Sequence, residues 1–345
     1  MSGTNGEQLI AIDDGFDETK IYSRALGGRK IRSLFSLKPT DLADLGMKDG
    51  DREGVYRIDG KRYAVGNVRA PEETRFDDYP FSPGNLAVAI HALRVAGVRG
   101  DVEAVSGMPV NRYYTMDGEV RKDLVLRKRK SWMRDVAVYG EDGQELPEDE
   151  VPRFVRVSVV SEAVAAWFDH CVDDTGAVIE GRLREQVAIV DIGGRTTDVA
   201  VVEDASVLMA HSGTTDHGAL DIYAAIDRRI QGQLGLTRPV PRQRIVEGME
   251  RGVVTVGAHE VDIREMKREE KRLLAERIQV FVASLIGSEA AFINRVIFVG
   301  GGAVMLADEL QGMFPQMEVA PEAQYANARG MWKYGVVSGS RRDAA

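Results

Sequence analysis

Four carboxylates crowd between Asp13 and Glu18 in the stretch LIAIDDGFDETK, and a single lysine, Lys20, follows them. An apolar run that stops at an aspartate two residues before a glycine reads as a strand ending in a tight turn. The pattern returns in QVAIVDIGGRTTDVAVVED, where Asp191 stands two residues before Gly193. A third turn, Gly300-Gly301-Gly302, interrupts RVIFVGGGAVMLADEL. Glycine lets the backbone approach a phosphate and donate its N–H groups to the oxygens. Carboxylates in the same place would repel that phosphate unless a divalent cation lay between them. Magnesium suits the position, because it keeps several waters and takes its other contacts from one or two carboxylates and the phosphates. The residues thus point to a phosphate-bearing ligand, with Asp13 and Asp191 facing hydrated Mg2+ and Lys20 meeting a phosphate oxygen. Each turn alone is an ordinary strand end; the joint occurrence carries the reading.

Positioning these groups takes strand-to-turn corners in two similar halves. Gln8 to Asp13, Thr19 to Leu26 and Arg29 to Leu37 are expected strands, and VYRIDGKRYAVG is a hairpin on Asp59-Gly60. Ser82 and Pro83 open a helix through NLAVAIHALRVAG that Gly97 stops. DVEAVSGMP reads as a strand, and RFVRVSVV is a strand leading through Ser161 and Glu162 into the helix SEAVAAWFDHCV. The second half repeats a hairpin at Asp191, with Asp198 to Glu203 returning. Helices are expected over Gly218 to Leu234, Arg242 to Arg251 and Val261 to Ile286, and a strand, the triple glycine and a helix close the series.

IDDGFDETK, VDIGGRTTDVAVV and VIFVGGGAVML resemble the two phosphate motifs and the adenosine motif of the actin, sugar-kinase and DnaK-type chaperone superfamily. Within it the chain is similar to the ParM (StbA) plasmid-segregation actins, through the lysine five residues beyond Gly15, VAIHALRVAG followed by GMPVNRYY, and QYANARGMWKYG. The resemblance runs from Leu9 to Val336. It implies an α/β, actin-like (ribonuclease-H-like) duplicated fold of two domains with a nucleotide cleft between them, domain I over residues 1–163 plus 325–345 and domain II over 164–324. It implies an ATPase that binds ATP or GTP with Mg2+. Asp13, Gly15 and Lys20 would form the first phosphate site, and Asp191, Gly193, Gly194 and Thr196 the second. Gly218 and Asp221 would lie by the ribose, and Gly300, Gly301, Gly302 and Ala303 along the adenosine. Glu162 would orient the attacking water, so that Glu162, Asp191 and Asp13 carry the chemistry; as a bare sequence feature, Glu162 could also be a simple first-turn acid favoured by the helix dipole.

The resemblance further implies head-to-tail filaments, and a ParR-like adaptor on a centromere-like DNA site, with no direct reading of DNA sequence. The alternatives are a small-molecule kinase of the same fold and an actin-like scaffold for another cargo. In the first loop Phe16, Asp17 and Glu18 replace the small or polar residues commoner in relatives, and strand alternation could turn one of the two acids to solvent. Arg195 in the second loop either contacts phosphate or projects outward.

Length, charge and composition agree with these expectations. At 345 residues the chain suits two domains, and 44% hydrophobic with 29% charged residues describes a soluble globular protein of the cytoplasm. A net charge of −9 disfavours broad coating of nucleic acid. The basic island RKDLVLRKRKSWMR, Arg121 to Arg134, is either a solvated helix face or a binding patch. Cys171, the single cysteine, forms no internal disulfide and reads as a small buried hydrophobe. Histidine spacing gives no zinc site. His91 reads as a packing residue, His211 and His217 lie near the expected ribose turn, and Trp132, Trp167 and Trp332 read as core or interface anchors.

Overall fold

The computed structural model describes residues 8–37, 54–68, 71–140 and 142–343; residues 1–7 and 344–345 of the expected first domain lie outside these. Strands β1 (Gln8–Asp14), β2 (Glu18–Ser23) and β3 (Gly27–Arg32) form an antiparallel meander. Next come β4 (Phe35–Ser36), β5 (Gly54–Ile58) and β6 (Lys61–Val65), then helix α1 (Pro83–Val95). The chain continues through β7 (Gly100–Met108), α2 (Val110–Tyr113), α3 (Lys122–Trp132), β8 (Val136–Tyr139), β9 (Pro152–Ser161) and α4 (Glu162–Cys171). The first sheet has the order β3-β2-β1-β7-β9, with β7 and β9 parallel to β1; a small sheet is ordered β4-β6-β5-β8.

The second half uses the same plan. Strands β10 (Val187–Ile192), β11 (Thr197–Glu203), β12 (Ser206–Val207) and β13 (Gly213–Thr215) lead to helices α5 (Leu220–Leu234) and α6 (Arg242–Arg251). Then follow β14 (Val253–Val256), β15 (His259–Asp262), α7 (Arg264–Ile286), β16 (Arg295–Val299), α8 (Gly301–Met305), α9 (Ala307–Leu310), β17 (Met317–Val319) and α10 (Ala326–Asp343). The second sheet has the order β12-β11-β10-β16-β17, again an antiparallel hairpin followed by two parallel strands. The echo between the two acidic turns is therefore an echo between two sheets.

Strand alternation sorts the core. Ile10 and Ile12 of β1 pack with α1, the small sheet and Trp132, whereas Ala11 faces Val105, Ala165, Met331 and Trp332. In β10, Ala188, Val190 and Ile192 pack with α5, α6 and α7, while Val187 and Ile189 meet Ala163, Ala166 and Trp167 of α4. Helix α4 thus packs on the second sheet with one face and on α10 with the other. Strands covered on both faces read as continuous apolar runs, as β1 and β10 do. The Ser82 hydroxyl accepts a hydrogen bond from the Asn85 N–H at 3.1 Å, and Pro83 starts α1.

Three expected elements differ. The third strand ends at Arg32, and Phe35–Ser36 joins the small sheet instead. The helix expected from Val261 begins at Arg264; Val253 to Asp262 is a hairpin turning at Gly257, whose φ is +61°. Its alternating VVTV strand is the signal that the helical period of the following segment hid. After the triple glycine the helix is broken into α8 and α9. The three tryptophans, His91 and Cys171 are all buried. No helix among the described residues is long and apolar enough to cross a membrane.

Candidate functional site

The β1–β2 and β10–β11 turns face one cleft of about 390 Å³. Asp13, Gly15, Lys20, Glu162, Asp191, Gly193, Gly194, Thr196, Gly300, Gly301 and Gly302 all line it. Three expected residues are not among its walls. Gly218 instead supports the second turn: the adjoining Ala219 and Leu220 N–H groups donate to the carbonyls of Gly193 and Gly194 at 3.0 and 2.8 Å. Asp221 lies half-exposed beside His217, 3.5 Å away, and Ala303 is in the core behind the glycines. His211 Nδ1 donates to the Leu285 carbonyl at 2.8 Å. Ala219 and Tyr223 line the cleft where Gly218 and Asp221 were expected.

Each of the four opening carboxylates has its own cation. Asp13 faces Lys20 Nζ at 3.4 Å, and Asp17 faces Arg32 at 3.2 Å and Arg242 at 3.8 Å. Glu18 pairs with Lys30 at 2.9 Å, and Asp14 with Lys128. Lys128 belongs to the basic island, whose helix is not a purely solvated face: Lys128, Ser131 and Trp132 point inward. Asp14, Lys128, Asp198 and Asn327 are the site residues that the sequence reading missed. A charged residue within a basic run gives no periodic signal of burial, so Lys128 was hidden by its neighbours; Asp198, placed opposite Asp191 in the hairpin, could have been found from the register.

Crowding of buried acids sets the electrostatics. Burial pushes the Asp191 carboxyl up to about 7, with Asp13 and Asp198 adding repulsion. Burial also raises Asp13 against the pull of Lys20, and it raises Glu162 well above the carboxylate range, helped by Asp13, Asp198 and Asp191. Asp198 is pushed up to about 6 by burial, although Thr214, Thr196 and the Val110 N–H all donate to it. Burial opposes the charge on Lys20, yet Asp13, Glu18 and Asp191 overcome it and raise the ammonium. Burial lowers the Lys128 ammonium despite Asp14.

Two glycines make the geometry possible. A side chain at Gly107 would strike Glu162 Cγ at 2.5 Å, so glycine there lets the first residue of α4 reach the cleft. Gly300 has φ +89°, and a Cβ on it would meet Asp191 Oδ1. Arg195 stands at the cleft wall, reaching Asp77 at 2.8 Å and lying over the Phe16 ring at 5.3 Å.

A hydrated divalent cation fits this donor set. Asp13 and Asp191 are buried, mutually repelling carboxylates, and Asn327, which donates to Asp191 Oδ2 at 2.7 Å, leaves its buried Oδ1 without a partner among the described residues. Among the described residues no three carboxylates, histidines or cysteines converge to hold a bare ion. A cation kept largely by water and phosphate needs no such trio.

Comparison with known proteins finds similarity in both halves of the chain. Residues 8–171 match the model of the plasmid segregation protein ParM, N-terminal region, and residues 189–312 match that of the archaeal actin homologue MreB-like, C-terminal region. No curated protein matches the sequence. Among solved structures, an archaeal actin homologue is 20% identical with a TM-score of 0.76, covering 96% of this chain and 99% of its own. A ParM from a 15-stranded filament of Clostridium botulinum is 18% identical with a TM-score of 0.75, over 96% and 99%. Bacillus thuringiensis ParM with ATP is 19% identical with a TM-score of 0.67, over 97% and 99%. The fold is actin-like, its first half similar to ParM (StbA) and its second to the archaeal MreB-like actin homologues.

Proposed function

We propose that the chain is an ATP-dependent, filament-forming actin-like protein that moves or positions DNA, as in plasmid segregation, and that ATP hydrolysis destabilises its filament. One observation carries this reading: Asp13 and Asp191, borne by hairpins of two different sheets, face a single cleft together with Lys20 and three glycine turns. A triphosphate bound there touches both halves, so its presence and loss can change how they sit. Residues 1–163 with 325–345, and 164–324, are the two bodies we assign to that motion. Asp13 and Asp191 would hold hydrated Mg2+, which when bound neutralises charge on the phosphates. Lys20 would donate to a phosphate oxygen, and Gly15, Gly193, Gly194 and Thr196 would cradle the chain of phosphates. Ala219 and Tyr223 would face the ribose side, with Gly218 behind them holding the second turn, and Gly300, Gly301 and Gly302 would pack along the base with Ala303 in the core behind. Glu162, at the amino end of α4, would accept a hydrogen bond from the attacking water and fix its approach, because phosphoryl transfer depends chiefly on alignment and charge stabilisation. GTP could take the place of ATP in the same cradle.

A head-to-tail contact that does not close on itself generates a filament, so closure of the cleft can be read at the outer faces. The partner surface is then a second copy, and DNA is held through a ParR-like adaptor. The test is direct. With ATP and magnesium the protein pellets and scatters light, and electron microscopy finds filaments; chelation of magnesium abolishes both, as does Asp191→Ala. Glu162→Ala still assembles but releases phosphate about 100-fold more slowly. ATP turnover that depends on one small metabolite, with no assembly, would replace this reading by the kinase alternative.

A further inference from the structure

Asp14 and Lys128 form a buried ion pair that the reading above leaves without a task. The Asp14 side chain is 4% exposed and that of Lys128 is 0% exposed. Asp14 also accepts hydrogen bonds from Asn85 Nδ2 at 2.8 Å and Ser106 Oγ at 2.7 Å. Lys128 donates in addition to the Pro80 carbonyl at 3.0 Å and lies over the Trp132 ring, whose Nε1 donates to Asn85 Oδ1 at 2.9 Å. Four segments thus meet at one carboxylate: the end of β1, α1, β7 and α3, with Pro80 at the cleft wall as a fifth point. A buried pair is poor evidence of stability, because an apolar replacement of equal volume often folds as well or better. What directed bonds add is orientation.

Strand alternation says which group is oriented. Ile10, Ile12 and Asp14 share one face of β1, so Asp13 emerges from the other and meets Lys20. Rotation of the strand end about its axis would carry Asp13 and the Gly15 turn away from the phosphates. Resting on the nucleotide reading above, we propose that Asp14 and Lys128 are a positioning pair: helix α3 grips the end of β1 through Lys128 and so fixes Asp13 and the first glycine turn against the nucleotide.

The test is the neutral double variant Asp14→Asn, Lys128→Met, which removes both charges together, measured in the full chain. Because misplacement of a catalytic constellation by about 1 Å costs on the order of 100-fold, kcat for ATP should fall about 10- to 100-fold. KM should stay within about threefold, and the melting temperature should remain near that of the wild type. Lys128→Met alone leaves Asp14 buried and unpaired, and it should fold poorly. Ser106→Ala, which takes one bond from Asp14 and leaves the charges paired, is the second variant and should give a graded, several-fold loss of kcat. A folded double variant turning over ATP at the wild-type rate overturns the proposal; should the double variant not fold, an unchanged kcat in Ser106→Ala does so. Hydrogen exchange separates this inference from the functional one. If the wild-type protein neither binds nor hydrolyses nucleotide, the functional reading fails, and the pair is judged by the amides of residues 13–20. These should exchange faster in the double variant, or in Ser106→Ala if the double does not fold, and unchanged exchange removes the positioning role too.

Discussion

At Asp191 the cost of the site is electrostatic and can be measured. Its folded pKa of about 7 lies above the ordinary 3.8, so the folded state holds a proton that the unfolded state releases. This contribution to stability is present in full below about pH 4 and is lost as pH rises through about 7. At pH 8 the nucleotide-free protein therefore carries the repulsion, and Asp191→Asn should raise its stability by about 1–3 kcal/mol, a gain that shrinks toward pH 5. The same variant should lose the thermal shift that Mg-ATP gives the wild type. Chemical denaturation at the two pH values, with and without Mg-ATP, checks both halves of the expectation. His91 gives the opposite limb. Burial pulls it down to about 4, its Nδ1 lies 2.7 Å from the Tyr56 hydroxyl, and its Nε2 has no partner among the described residues. Its folded pKa is below the unfolded 6.5, so its contribution is complete above 6.5 and fades as pH falls through 4. His91→Gln, which retains an acceptor for Tyr56, should flatten the acid side of the stability profile between those values; an unaltered acid limb would assign it to other groups.

The decisive element contact is the crossing of α4 and α10. A Cβ on Gly330 would collide with the Ala165 carbonyl, so glycine at this point lets the two helices touch. Gly330→Ala should cost about 1–3 kcal/mol as the helices separate. It should also slow ATP turnover, because Glu162 is the first residue of α4. Gly339→Ala, in the same helix with nothing near the added methyl, should instead gain about 0.5–1 kcal/mol. Urea midpoints of the two variants moving in the same direction would refute the crossing argument. At this scale the sequence was informative where pattern and local chemistry agreed. The Asp59-Gly60 hairpin and the Ser82 cap lie where expected, and the strands expected to end at Asp13 and Asp191 each run one residue further, since turn residues and apolar runs are local signals. The β14–β15 hairpin was lost to the helical period that follows it, and the inward turn of Lys128 depends on Asp14, 114 residues away. Long-range pairs of that kind leave no trace in spacing.

Across the whole molecule, two kinds of contact join the halves, and they should respond differently to force. One is apolar: Ala163, Ala166 and Trp167 of α4 pack under β10 and β11, while Ala165 meets Trp332 of α10. The other is polar, and beside buried bonds such as Asn327 to Asp191 it includes an exposed clasp, Arg195 to Asp77 at 2.8 Å, with Asp77 largely exposed. Exposed pairs contribute about 0.2–1 kcal/mol, so the clasp can shift an open–closed balance by about 1.4- to fivefold without deciding the fold. It links the second glycine turn to the segment before α1, and it therefore acts where a nucleotide would close the cleft. Arg195→Ala should leave the melting temperature nearly unchanged while increasing the radius of gyration of the nucleotide-free protein in small-angle scattering. Saturating Mg-ATP should restore the compact form, because a bound triphosphate supplies contacts to both walls. If closure is what matches the subunit faces, the concentration needed for assembly should rise by the same factor, and high salt should reproduce that rise in the wild type but not in the variant. A variant that is as compact as the wild type, and assembles at the same concentration at every ionic strength, would show that the clasp does not govern closure.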